Sequence, residues 1–150
     1  MSEIQFSIPS EQEMLALGRK LAGALQGGSF VALHGDLGAG KTVLVRGMAS
    51  ELGITGVVSP TFTIVQEYDG EIPLFHFDAY RLNDEDELYA IGFEDYLARD
   101  GIIVMEWAEL VEGALPSDRI EISIVGDGDG ARTVSVMATG PVSQEAVNRL

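Results

Sequence analysis

Ile4, Phe6 and Ile8 alternate with polar residues, which predicts a half-buried strand over residues 3–8. Ser10-Glu-Gln-Glu13 then reads as a capping box, and Leu15, Leu17, Leu21 and Leu25 place an amphipathic helix behind it. Gly27-Gly28 ends that helix. Residues 29–34 form a short apolar run that reads as a buried strand. Leu44, Val45, Met48, Ala49 and Leu52 recur at helical spacing and predict a helix over 42–52. Residues 54–63, rich in Gly, Ser, Pro and Thr, read as a loop.

Further along, residues 64–68 and 72–77 predict a hairpin around Asp69-Gly70. Asn83-Asp-Glu-Asp-Glu87 is an acidic helix entrance, suited to the positive end of one helix running to about Leu97. Gly101 stops it, and Ile102-Ile-Val-Met105 has the character of a central strand. Residues 119–125 and 133–137 alternate around Gly126-Asp-Gly-Asp-Gly130, so a C-terminal hairpin with a polar turn accounts for the segment. A calcium loop would need more oxygen ligands at fixed offsets and a closing Glu. Residues 141–150 form a short tail with one helical stretch. The pattern predicts an α/β fold in a single domain over 1–150, with a central mixed sheet flanked by helices.

One element carries chemistry. Gly35-Asp36-Leu37-Gly38-Ala39-Gly40-Lys41-Thr42 is a complete Walker A loop, set between the predicted strand at 29–34 and the predicted helix at 42–52. That context makes the domain P-loop NTPase-like. Gly35, Gly38 and Gly40 let backbone N–H groups wrap a phosphate, and the helix N-terminus adds its positive dipole end. Lys41 is expected as a surface ligand bridging the β- and γ-phosphates, and the Thr42 hydroxyl can ligate Mg2+. ATP and Mg2+ are the expected ligands.

Charge narrows the partners. The chain has 24 acidic and 9 basic residues among 150, a formal net charge of −15. Its lysines are Lys20 and Lys41, and no two of its arginines are closer than 13 residues. Unaided nucleic-acid binding needs a basic stripe, and none is visible. The acid excess serves solubility or docking on a basic partner surface. Lack of cysteine excludes disulfides, thiolate zinc sites and a cysteine nucleophile. No apolar run is long enough to span a bilayer, and Met1-Ser-Glu-Ile4 offers no basic lead into an apolar segment. A cytoplasmic protein is expected.

Hydrolysis needs more than a phosphate loop. It needs an acid near Mg2+ and a group to position water. Two predicted strands end in acids, Leu74-Phe-His-Phe-Asp78 and Ile102-Ile-Val-Met-Glu106, where open α/β sheets bind ligands. Periodicity leaves open which acid takes which role. His76 shares a strand face with Asp78 and reads first as a satisfied core histidine. Trp107 reads as packing at the sheet edge or as a ring beside the nucleotide. Thr61 is a loop threonine of the kind that reaches Mg2+ and γ-phosphate in nucleotide switches.

Four blocks in order carry a resemblance: residues 35–42, Ser-Pro-Thr-Phe at 59–62, His-Phe-Asp-Ala-Tyr-Arg at 76–81 and Met-Glu-Trp-Ala-Glu at 105–109. Together they resemble the TsaE family, also called YjeE, small bacterial ATPases of about this length. The resemblance covers nearly the whole chain. It implies ATP and Mg2+ binding, and work with TsaB and TsaD in threonylcarbamoyladenosine modification of tRNA. The implied role is to couple ATP hydrolysis to turnover of the TsaD-containing complex, not to transfer the threonylcarbamoyl group. By motif position it assigns Lys41 to phosphate, Thr42 and Glu106 to the Mg2+ site, Asp78 to water and Thr61 to the γ-phosphate. tRNA would be held by the partners.

Three other readings share the loop. A small-molecule kinase would need an acceptor pocket and arginines clamping the moving phosphoryl group. A GTPase is weaker: Asp127-Gly-Asp-Gly130 matches an Asp-x-x-Gly switch, but no Asn-Lys-x-Asp guanine motif exists. A non-catalytic, nucleotide-gated binding protein would leave the two strand-end acids without a purpose.

Overall fold

A mixed sheet organises the chain, with strand order β1-β7-β6-β2-β5-β4-β3. The strands are β1 (Glu3–Ile8), β2 (Phe30–Gly35), β3 (Val65–Tyr68), β4 (Leu74–Asp78), β5 (Ile102–Glu106), β6 (Ile120–Gly126) and β7 (Arg132–Ala138). Strands β6, β2, β5 and β4 run parallel. Strands β3, β7 and β1 each join antiparallel. The computed structural model describes residues 3–36, 40–126 and 130–150. Leu37, Gly38 and Ala39 of the phosphate loop, and residues 127–129 of the C-terminal turn, lie outside the described residues. The α/β class, the mixed sheet and the β6–β7 hairpin match the sequence expectation.

Alternation along the central strands builds two apolar layers. Val31 and Leu33 of β2, with Ile102 and Val104 of β5, join α1 (Glu11–Ala24), α2 (Lys41–Glu51) and α5 (Pro141–Asn148) in one core cluster. Phe30 and Ala32, Phe75 and Phe77, and Ile103 and Met105 face the other way. They pack against α3 (Glu85–Ala90), α4 (Phe93–Ala98) and the 3₁₀ segment Ala108–Ala114. Edge-on ring contacts of Phe77 with Phe93 and Tyr96 knit the second layer.

Close contact between α1 and α2 sets where the second helix begins. A Cβ on Gly18 would collide with the Leu44 carbonyl, and one on Gly47 with the Leu15 carbonyl. Two glycines therefore let the helices touch backbone to backbone. At the start of α1, Ser10 Oγ accepts the Glu13 N–H at 3.3 Å, as the capping pattern predicts.

Two expectations need correction. The predicted helix over 83–97 is two short helices, broken at Gly92, whose φ is +91°. Leu88 and Phe93 are both fully buried. On one continuous helix, five residues apart, they would point about 140° away from each other. The left-handed glycine turns both into the same core. The β3–β4 connection is also longer than a two-residue turn, since Tyr68 pairs with Leu74. The Glu71 N–H donates to the Leu52 carbonyl at 2.9 Å, which ties this loop to the end of α2. No helix among the described residues is long and apolar enough to cross a membrane.

Candidate functional site

Asp78 and Glu106 are register partners at the ends of the parallel strands β4 and β5. Glu106 is also the partner of Leu33 on β2, two residues before the phosphate loop. Period two then fixes the facing: Leu74, His76 and Asp78 lie on one side of β4, and Ile102, Val104 and Glu106 on the same side of β5. That side carries α2, which begins at Lys41. The sheet thus delivers two acids and a histidine to a helix N-terminus.

Gly40 is the N-cap of α2 with φ +107°, a left-handed conformation that a glycine adopts without strain. Lys41 is not the surface side chain expected from sequence. It is 8% exposed, with Nζ 3.6 Å from Glu106 Oε1 and 5.0 Å above the Trp107 ring. Glu106 Oε2 accepts from His76 Nε2 at 2.7 Å. Burial pushes the Glu106 carboxyl up, but the His76 contact and the Lys41 charge outweigh it and hold the group below the usual carboxylate value.

Asp78 has a separate set of partners. Its Oδ1 accepts the Tyr80 N–H at 2.9 Å, and its Oδ2 accepts the Thr61 hydroxyl at 3.2 Å. Ser59 and Thr61 share a 2.7 Å hydroxyl contact. Lys41, Thr42, Thr61, Asp78 and Glu106 line one cleft of about 600 Å3, with Gly40, Val43, Ser59, Tyr80 and Trp107. That volume suits a small ligand. Gly35 and Asp36 border an adjoining recess with His34, Lys41, Trp107 and Glu109.

Strain is concentrated here. Among the described residues, Ile64 (φ +71°) and Trp107 (φ +58°) are the non-glycine residues with positive φ. Each such conformation costs about 1–3 kcal/mol. Both flank the acids: Ile64 C=O accepts the Asp78 N–H at 2.8 Å, and Trp107 follows Glu106. The Trp107 turn places its indole in the cleft lining, 5.0 Å from the Tyr80 ring.

The cleft lining holds one lysine, Lys41, and no arginine among the described residues. Arg81 lies with its guanidinium 4.6 Å from the Phe62 ring, while Arg132 borders a neighbouring recess with Ser10 and Gly40. Arg46 is exposed on α2. At the carboxyl end of β2, His34 contacts Glu109 at 3.1 Å and Glu121 at 2.8 Å. The Glu121 bond raises the imidazole pKa, burial opposes it, and Glu109 adds to the rise.

Sequence reasoning missed Tyr80 and Ser59 as cleft residues, whereas His76 is buried, as expected of a core histidine, with its Nε2 bonded to Glu106. Ser59 and Tyr80 lie in the blocks at 59–62 and 76–81 that carry the resemblance, and the signal for His76 was its period-two relation to Asp78. Backbone turns at Ile64 and Trp107 have no local signature, since neither residue type favours a left-handed conformation.

The cleft lining offers oxygen donors of the kind that Mg2+ carried on a nucleotide would need. No cluster of three or more His, Asp or Glu side chains able to cage a metal occurs among the described residues. Mg2+ carried on phosphates needs only one or two protein oxygens, and Thr42 with the buried Glu106 carboxylate supplies that hard-oxygen set.

Comparison with known proteins gives the family. The family model described as threonylcarbamoyl adenosine biosynthesis protein TsaE matches residues 8–134. The chain is 41% identical over 142 residues to the tRNA threonylcarbamoyladenosine biosynthesis protein TsaE of Bacillus subtilis, covering 93% of this chain and 89% of that one. It is 44% identical over 137 residues to the same-named protein of Streptomyces coelicolor, covering 85% and 91%. The crystal structure of Bacillus subtilis YdiB superposes with a TM-score of 0.84 at 34% identity, covering 98% of this chain and 95% of that one.

Proposed function

Because this chain belongs to the TsaE family, we propose that it is a slow, Mg2+-dependent ATPase of tRNA threonylcarbamoyladenosine biosynthesis. In this reading ATP hydrolysis drives turnover of a TsaB–TsaD complex. One observation carries the ATPase reading: Lys41, Thr42, Thr61, Asp78 and Glu106 converge on one cleft at the N-terminus of α2. The names of the relatives support the pathway.

Lys41 binds the β- and γ-phosphates, together with backbone N–H groups of the loop and the dipole of α2. To do so the ammonium moves away from Glu106 and the Trp107 ring. Thr42 and Glu106 would hold the hydrated Mg2+, which would neutralise charge on the phosphate oxygens. Asp78 orients the attacking water. In the structure its Oδ2 is engaged by Thr61. When Thr61 turns to the γ-phosphate, that oxygen becomes free to accept from water. Ground-state binding and water orientation thereby fall to different acids.

The surface around the cleft supports a partner. Tyr80, 60% exposed, lines the cleft, and Phe62, 78% exposed, follows the lining residue Thr61 in the chain. Exposed aromatics at a site entrance mark contact surface. Among the described residues the lining offers one cation, whereas phosphoryl transfer is accelerated by several, so an arginine from the partner completes the site. The net charge of −15 leaves tRNA to the partner proteins.

Calorimetric titration with ATP, with and without Mg2+, and a phosphate-release assay test this reading. Mg2+-dependent binding with slow phosphate release supports it. A phosphorylated small-molecule acceptor would replace it with the kinase reading, and unchanged ATP under all conditions with a nucleotide-gated binding protein.

A further inference from the structure

His76 is fully buried on β4, yet the apolar layer around it does not use its polarity. Its Nε2 lies 2.7 Å from Glu106 Oε2, while Nδ1 is buried without a hydrogen-bond partner. Those two facts select the tautomer. A carboxylate accepts, so Nε2 must carry the proton it donates. A proton carried on Nδ1 instead would have no acceptor among the described residues. The imidazole is a donor aimed at one oxygen of Glu106.

The other oxygen faces Lys41 Nζ at 3.6 Å, longer than a close charge-assisted hydrogen bond. Nothing else among the described side chains bonds the Glu106 carboxylate. Without a donor on Oε2, a buried carboxylate beside a buried ammonium would swing to close that gap. A closed pair would withdraw Lys41 from phosphate and the carboxylate from Mg2+.

We propose that His76 is a positioning residue which, by holding Oε2 of Glu106, keeps the carboxylate from collapsing onto Lys41 and leaves Oε1 for the hydrated metal. This rests on the ATP–Mg2+ reading above. It differs from a merely structural role for a buried histidine, which any side chain of similar bulk would fill.

The test compares His76→Gln, His76→Asn and His76→Leu. The Gln amide nitrogen can occupy the place of Nε2, whereas that of Asn sits near Nδ1 and cannot reach Glu106. ATP binding is titrated by calorimetry with and without Mg2+, and KM and kcat are read from phosphate release. Losing an outer contact to a metal-binding group costs about 10–100-fold in metal affinity. His76→Leu and His76→Asn are therefore expected to lose at least about tenfold in the Mg2+-dependent gain in ATP affinity and to raise KM more than they lower kcat. His76→Gln should recover most of that loss. Should His76→Leu fail to fold, the Gln–Asn pair carries the comparison, since both bury an amide. In the metal-free wild-type protein, 15N spectra of the imidazole should show the Nε2–H tautomer.

An Nδ1–H tautomer, or Gln and Asn variants of equal affinity, would overturn the proposal. A wild-type Mg2+ gain that all three variants retain would overturn it while leaving the ATP reading intact. A wild-type protein with no Mg2+ gain would overturn both.

Discussion

The carboxylates of Asp78 and Glu106 stand on paired residues of neighbouring parallel strands, yet their hydrogen-bond partners do not overlap. Glu106 is held by His76 and faces Lys41, whereas Asp78 is held by Thr61 and the Tyr80 backbone. Two acids one strand apart therefore have distinct environments, the condition for distinct roles.

That separation predicts different kinetic signatures. Glu106→Ala should weaken Mg2+-dependent ATP binding by about tenfold or more, because a carboxylate of the metal shell is lost. Asp78→Asn should leave binding within about threefold and depress kcat by about 10²-fold, because water orientation acts in the transition state. Calorimetry and single-turnover phosphate release separate the two. Reversed phenotypes would exchange the roles and keep the site.

Lys41→Ala should abolish productive ATP binding. It also removes the ammonium facing a buried carboxylate, so the folded state is expected to lose about 1–3 kcal/mol. Chemical denaturation measures the second effect, and ATP titration below the unfolding transition measures the first. Near-normal turnover in this variant would contradict the phosphate-loop assignment.

Much of this site is legible in the sequence, because period two and strand ends are local facts. Asp78 and Glu106 stand out for that reason, and Lys41 stands out through the Walker A motif. What is not legible depends on packing between distant segments. Gly18 and Gly47 look like weak points in two helices until the helices are seen to touch at them. Lys41 reads as exposed until Trp107 and Glu106 close over it. Gly92 breaks a helix only because Leu88 and Phe93 must share one aromatic core.

Gly47→Ala tests the helix contact. The added methyl would meet the Leu15 carbonyl, forcing α2 away from α1. Overpacking of this kind costs about 1–3 kcal/mol, and here it also displaces Lys41. A lowered melting temperature with weakened ATP binding is expected. Unchanged stability would show that the helices can separate freely.

His34 predicts a pH dependence. Its folded pKa lies above the ordinary value of 6.5, chiefly through Glu121. The stabilisation is therefore fully present below that ordinary value and is lost as pH rises through the raised folded value. Glu121, held below its usual range as the His34 and Arg119 contacts outweigh burial, stays ionised over that interval. Wild-type protein should exceed His34→Gln in stability by about 1 kcal/mol near pH 6, and by less near pH 9. Denaturant titrations at the two pH values check the sign. A difference that grows with pH would contradict it.

At near-physiological salt the isolated chain should not bind tRNA measurably, since a surface with a net charge of −15 repels a polyanion. A gel-shift titration at moderate salt decides this. Micromolar binding would reveal a local basic patch.

Coupling of ATP hydrolysis to a partner is the central claim, and phosphate release measured with and without the TsaB–TsaD complex tests it most directly. Among the described residues one cationic side chain lines the cleft, and an arginine supplied in trans raises phosphoryl-transfer rates by about 10³-fold or more. Release should be slow for the isolated chain and rise strongly on addition of the complex, with Phe62→Ala weakening the rise at the exposed lip. A fast isolated enzyme, indifferent to the complex, would contradict the account.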